Sequence, residues 1–164
     1  MTLSTSQPLS SPIYADRSSG EHYPDAKQMV NVYLKRFAER VQLRDEKGQP
    51  HAPSLDASGF AEIEQGRAVI GINVLEEQGV LMVFAPILRV ATIAREALYR
   101  RLLELSFLAT ADAAFAINAA RNEVVVRCLR RLSALDYEEL EDILATVGQV
   151  ADHWEHELRR EFGV

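Results

Sequence analysis

The chain has 164 residues, 48% hydrophobic and 26% charged, which suits one domain with its own core and excludes a wholly disordered chain. A net charge of −6 argues against a nucleic-acid partner, and a single cysteine, Cys128, allows no internal disulfide. No run approaches the roughly 18 apolar residues that span a bilayer, and the opening Met-Thr-Leu-Ser-Thr-Ser-Gln-Pro lacks the basic patch and apolar core of a signal peptide, so a cytoplasmic protein with no membrane partner is expected.

Residues 1–22 are rich in Ser, Pro, Gly and Thr and read as a flexible tail, leaving 23–164 as a single domain. A first helix is expected from near Tyr23, with Pro24 in its first turn and Asp25 at the positive end of its dipole. Ala26, Met29, Val30, Tyr33, Phe37 and Val41 then recur at helical spacing as one apolar stripe. Residues 44–58, with Gly48, Pro50 and Pro53, read as a loop.

Phe60–Gln65, Ala68–Leu75 and Val80–Leu88 form an expected meander, because connections this short join antiparallel neighbours. The second and third runs are apolar on both faces: Ala68, Ile70, Ile72 and Val74 oppose Val69 and Leu75, while Val80, Met82 and Phe84 oppose Leu81, Val83 and Ala85. Gly71 inside a strand marks a bulge or a close approach.

Thr92 is the expected cap of a helix running to about Ala109, with a stripe of Ala94, Ala97, Leu98, Leu102, Leu105 and Leu108 broadened by Ile93, Leu103 and Phe107. A second hairpin, Ala113–Asn118 and Glu123–Leu132, turns through Ala119–Asn122. Asp136-Tyr137-Glu138-Glu139 resembles a capping box opening a long helix whose stripe includes Val147, Ala151, Trp154 and Leu158; Trp154 is expected to be largely buried. The order α-βββ-α-ββ-α is that of a two-layer α+β domain with a five-stranded antiparallel sheet and three helices.

Little chemistry accompanies this order. His153 and His156 stand three apart on the last helix with no third ligand spaced to join them, which reads as a solvated face. Cys128 lies among Val124, Val126 and Leu129, the setting of an inert packed thiol, with no His nearby in sequence to serve as its base. The glycines match no phosphate-binding loop. No catalytic, metal or cofactor site is expected. What remains is apolar surface in excess, the mark of an interaction site.

The run of Ala85-Pro86-Ile87, the leucine-rich helix around Ala97–Phe107, the small-residue strand Ala113–Ile117, the strand Glu123–Leu132, and the final helix opened by Leu135–Leu140 and carrying Ala151-Asp152-His153-Trp154 resembles type III secretion chaperones of the CesT (Tir chaperone) family. It equally resembles the YbjN-like proteins of the same fold. The resemblance implies a non-enzymatic homodimer that holds an extended segment of a client protein without ATP; a YbjN-like regulatory or scaffold protein with no secretion client is the alternative. It further implies a dimer interface on Leu98, Leu102, Leu105, Val124 and Val126. Client contacts would fall on Met29, Tyr33, Phe37, Ile72, Val74, Leu81 and Val83.

Overall fold

A computed structural model describes residues 13–163. Its first feature is a small antiparallel hairpin, β1 (Tyr14–Ala15) with β2 (His22–Tyr23). Helix α1 (Ala26–Val41) follows; its cap is Asp25, whose side chain accepts from the Gln28 amide, so Tyr23 belongs to the hairpin rather than to the helix. Leucine 55 holds the following loop to α1 by donating its amide to Asn31 Oδ1 at 2.8 Å.

The meander is β3 (Phe60–Gln65), β4 (Ala68–Leu75) and β5 (Val80–Arg89), within a residue of the expected bounds. Helix α2 spans Arg95–Leu108, β6 spans Ala114–Asn118, β7 spans Glu123–Arg131, and α3 spans Tyr137–Phe162. The five long strands make one antiparallel sheet in the order β3-β4-β5-β7-β6. Register shifts between Pro86 and Leu88, where proline supplies no amide to the ladder.

One face of this sheet carries Ile70, Ile72 and Val74 from β4, Leu81, Val83 and Ala85 from β5, and Val124, Val126 and Cys128 from β7. These side chains form a single buried cluster with Met29, Tyr33, Leu34 and Phe37 of α1, Leu98, Leu102 and Leu105 of α2, and Leu140, Leu144 and Leu158 of α3. All three helices therefore lie on this side. Helix α3, roughly 39 Å long at 1.5 Å per residue, packs across β4, β5 and β7. Its start is fixed as the sequence indicates: Asp136 Oδ1 accepts from the Glu139 amide at 3.0 Å.

Two expected details change. The α2 cap position is Ala94, in the left-handed conformation at φ 57° with no side-chain cap, and not Thr92. Trp154 is half-buried: its ring packs on the core edge with the Arg101 guanidinium 5.8 Å from its centroid, and Arg101 also pairs with Glu161 at 3.3 Å.

The tail assignment also moves. Of residues 1–22, those at 1–12 lie outside the described residues. Residues 13–22 join the fold through Asp16, which is 1% exposed. Its carboxylate accepts from the Ser18 amide (2.8 Å) and hydroxyl (2.6 Å), the Ser19 amide (2.9 Å) and, across the domain, the Tyr137 amide at the start of α3 (3.2 Å). Burial alone would raise the Asp16 pKa, but these hydrogen bonds prevail and hold the carboxyl well below the usual carboxylate range.

Candidate functional site

Among the described residues no helix lies on the sheet's second face. Strand pairing sets its rows: Glu62, Gly71, Phe84, Arg127 and Ala114 lie side by side across all five strands, next to a row of Phe60, Asn73, Met82 and Leu129. Val69 and Leu129 are exposed, and Phe60, Met82 and Phe84 are half-buried by one another. The Phe60 and Phe84 rings stand 6.4 Å apart at 35°, over Gly71. Beside them runs a groove of about 300 Å³ between Phe60, Val69, Phe84 and Pro86, with Glu62 at one end and Glu123, Asn118 and Arg121 at the other. Such a surface binds apolar side chains from a chain laid across it.

A second apolar surface lies on the outside of α2. Leu98, Leu102 and Leu105 face the sheet, whereas Leu103 is 74%, Phe107 89% and Leu108 85% exposed. Tyr99, Leu103 and Phe107 repeat every four residues and so form one ridge, with Ile93 uncovered just before the helix. Three large side chains in a row facing solvent are uncommon on a free-standing protein.

The residues expected to make these contacts lie elsewhere. Met29, Tyr33, Phe37, Ile72, Val74, Leu81 and Val83 are all at most 3% exposed and fill the core between α1, α3 and the sheet. Leu98, Leu102, Leu105, Val124 and Val126 are at most 5% exposed and belong to the same core, closed within one chain. On β4, β5, β7 and α2 the exposed apolar side chains sit on the faces opposite the expected residues, while α1, expected to wall the client site, packs on the covered side of the sheet. For the strands the signal was present in the sequence as the second alternating set, Val69, Val80, Met82 and Phe84. For α2 it was the broadening of its stripe by Ile93, Leu103 and Phe107.

Burial pushes the Cys128 thiol up, and the Arg130 guanidinium, 3.4 Å from Sγ, only partly opposes it. Arg130 is itself engaged by Asp112 at 2.7 Å and Glu139 at 2.8 Å. His153 is exposed, its ring edge-on to Trp154 at 4.8 Å, and His156 is exposed too. Among the described residues no group of three or more His, Cys, Asp or Glu side chains is placed to hold a metal. Among the described residues no helix is long and apolar enough to cross a membrane.

The described chain is thus a three-helix, five-stranded α+β domain with uncovered apolar surface and a packed thiol. The sequence profile of the Tir chaperone protein (CesT) family matches residues 34–155, and the chain belongs to that family, a non-enzymatic class. Solved structures share its fold. A chain of the ExsC–ExsE complex superposes with a TM-score of 0.65 at 23% identity, covering 80% of this chain and 95% of that one. One from the HopA1–SchA chaperone–effector complex gives 0.61 at 12%, with 80% and 96% covered. The type III secretion chaperone SycH of Yersinia pestis, in complex with a stable fragment of YscM2, gives 0.52 at 13%, with 75% and 97% covered. No curated protein sequence matches.

Proposed function

We propose that this protein is a cytoplasmic secretion chaperone that holds an extended segment of a client protein, acts as a homodimer, and uses neither ATP nor covalent chemistry. The observation that carries this reading is the uncovered sheet face, where Phe60, Val69, Met82, Phe84 and Leu129 present apolar area that no part of the described chain covers. Aromatic side chains bring large contact area at low rotamer cost, which suits a surface meeting varied sequences. Beta-strand β3 is a free edge of the sheet and offers backbone hydrogen bonds to a client strand. The outer ridge of α2 serves the second copy, since a two-fold axis beside it matches Tyr99, Leu103 and Phe107 with themselves.

Site-specific photo-crosslinking tests the division of labour. A benzophenone at position 82 should capture a client, and one at position 103 should capture a second copy of the chain. Capture of a second copy from both positions, with no other protein recovered from position 82 in the native cytoplasm, would overturn the assignment of the sheet face.

A further inference from the structure

The groove on the uncovered face contains a carboxylate with an oxygen that has no hydrogen-bond donor among the described residues, and neither Arg89, its register partner on β5, nor Arg121 in the same groove forms an ion pair with it. Glu123 opens β7 beside Asn118, with its side chain on the same face as Val125 and Arg127. Its Oε2 atom is buried, and it accepts no hydrogen bond from the described residues. Removing a carboxylate oxygen from water without a donor is costly, so such an atom marks a place where a donor belongs. Glu62, at the far end of the groove, is exposed and makes no ion pair among the described residues. Between the two carboxylates the floor is aromatic: Gly71 has no side chain, and the Phe60 and Phe84 rings occupy the space above it. Carboxylate beside aromatic ring is a setting that a guanidinium satisfies by hydrogen bonding and stacking at once.

Resting on the reading of this face as the client surface, we propose that the groove selects an extended client segment by a basic side chain, arginine above lysine, seated at Glu123 with its stem against Phe84 and Pro86. Glu62 then meets a second basic residue of the same segment. Glu123 lies three strands across the sheet from Glu62 and, because Glu62 is in register with Arg127, four residues along β7, about 14 Å by about 13 Å or roughly 19 Å in all, which an extended chain covers in about six residues. The recognised pattern is thus basic, a short apolar stretch, basic. Arg121 lines the same end of the groove and sets the competing outcome, an acidic client residue.

The test uses the full chain and an array of short synthetic peptides with a leucine, valine and serine background, each carrying Arg, Lys, Gln or Glu at one position. Arg peptides should bind about tenfold tighter than their Gln counterparts at low salt, the scale of one charge-assisted hydrogen bond, and lose that margin at high salt. Glu123→Gln should remove the margin without weakening the Gln peptides. Glu123→Lys should turn the preference toward Glu peptides, a reversal that damage to the fold cannot produce. Equal binding of Arg and Gln peptides, or a wild-type preference for Glu, overturns the basic subsite while leaving the client surface standing. No peptide binding at all removes both.

Discussion

The Phe84 ring lies so close over Gly71 that a Cβ added there would fall 2.6 Å from its Cζ atom, with a Phe60 ring carbon at 3.1 Å. Glycine is therefore required by the aromatic pair above it and not by its backbone, which lacks the positive φ of Gly59, Gly66 and Gly79. The contact joins β3, β4 and β5 on the face away from the helices, so it shapes the groove while contributing little to the core.

Gly71→Ala separates those two roles. The ring ends are free to swing toward solvent, so the fold should survive with a loss of roughly 1 kcal/mol, while the groove loses its floor. The expected outcome is a melting temperature a few degrees lower and client or peptide binding reduced severalfold. Unchanged binding would show that Phe60 and Phe84 do not line the contact surface.

Asp16 gives a pH signature. Its folded pKa is depressed, so its contribution is fully present above the unfolded carboxylate value near 3.9 and is lost as pH falls toward the folded value. Asp16→Asn keeps an acceptor for the Ser18 and Ser19 amides but turns a donor toward the Tyr137 amide, which should cost about 1–3 kcal/mol at neutral pH. Urea unfolding at a series of pH values from neutral into the acid range checks it: wild type and variant should converge as pH drops. A constant gap down to the most acid point would contradict the assignment.

Much of this architecture was legible in the chain itself. Helix stripes, the meander and the Asp136 cap follow from spacing and local hydrogen bonding, and the strands fall within a residue of the expected ends. The contact surfaces were not, because an apolar stripe states only that a face is buried, without saying by what. Met29, Tyr33 and Phe37 are buried by the chain's own sheet, and on α2 the presence of leucines all round hides which row meets the sheet. The Asp16 clasp was invisible for another reason: Ser, Gly and Asp read locally as a turn, while the decisive bond reaches the Tyr137 amide 121 residues away. Tyr33 shows the same effect. Its hydroxyl makes no hydrogen bond of ordinary geometry, yet burial and the Asp16 carboxylate together push the phenol above its usual value.

Cys128 should behave as packing. With the thiol 3% exposed and its pKa raised, reaction with Ellman's reagent in the native state should be about a hundredfold slower than in urea, because thiolate and access are both scarce. Cys128→Ala should leave client binding intact. A fast native reaction, or loss of binding in a well-folded Cys128→Ala protein, would assign the thiol a working role.

The two faces of α2 make opposite predictions from neighbouring positions. Leu102 is 5% exposed in the shared core, so Leu102→Ala should destabilise the protomer by about 2–5 kcal/mol, visible as a lower urea midpoint. Phe107 is 89% exposed and touches little of its own chain, so Phe107→Asp should change protomer stability by only about 0.5 kcal/mol. If the outer ridge joins two copies, that substitution places a charge where an apolar contact must form, and sedimentation should pass from a dimer to a species near the 18.4 kDa protomer. Dimerisation would also contribute to apparent stability by mass action, so wild-type melting should rise with protein concentration and the Phe107→Asp protein should not. A dimer that survives Phe107→Asp and Leu103→Asp together would place the interface elsewhere, and the uncovered sheet face would then be the surface to examine for the second copy.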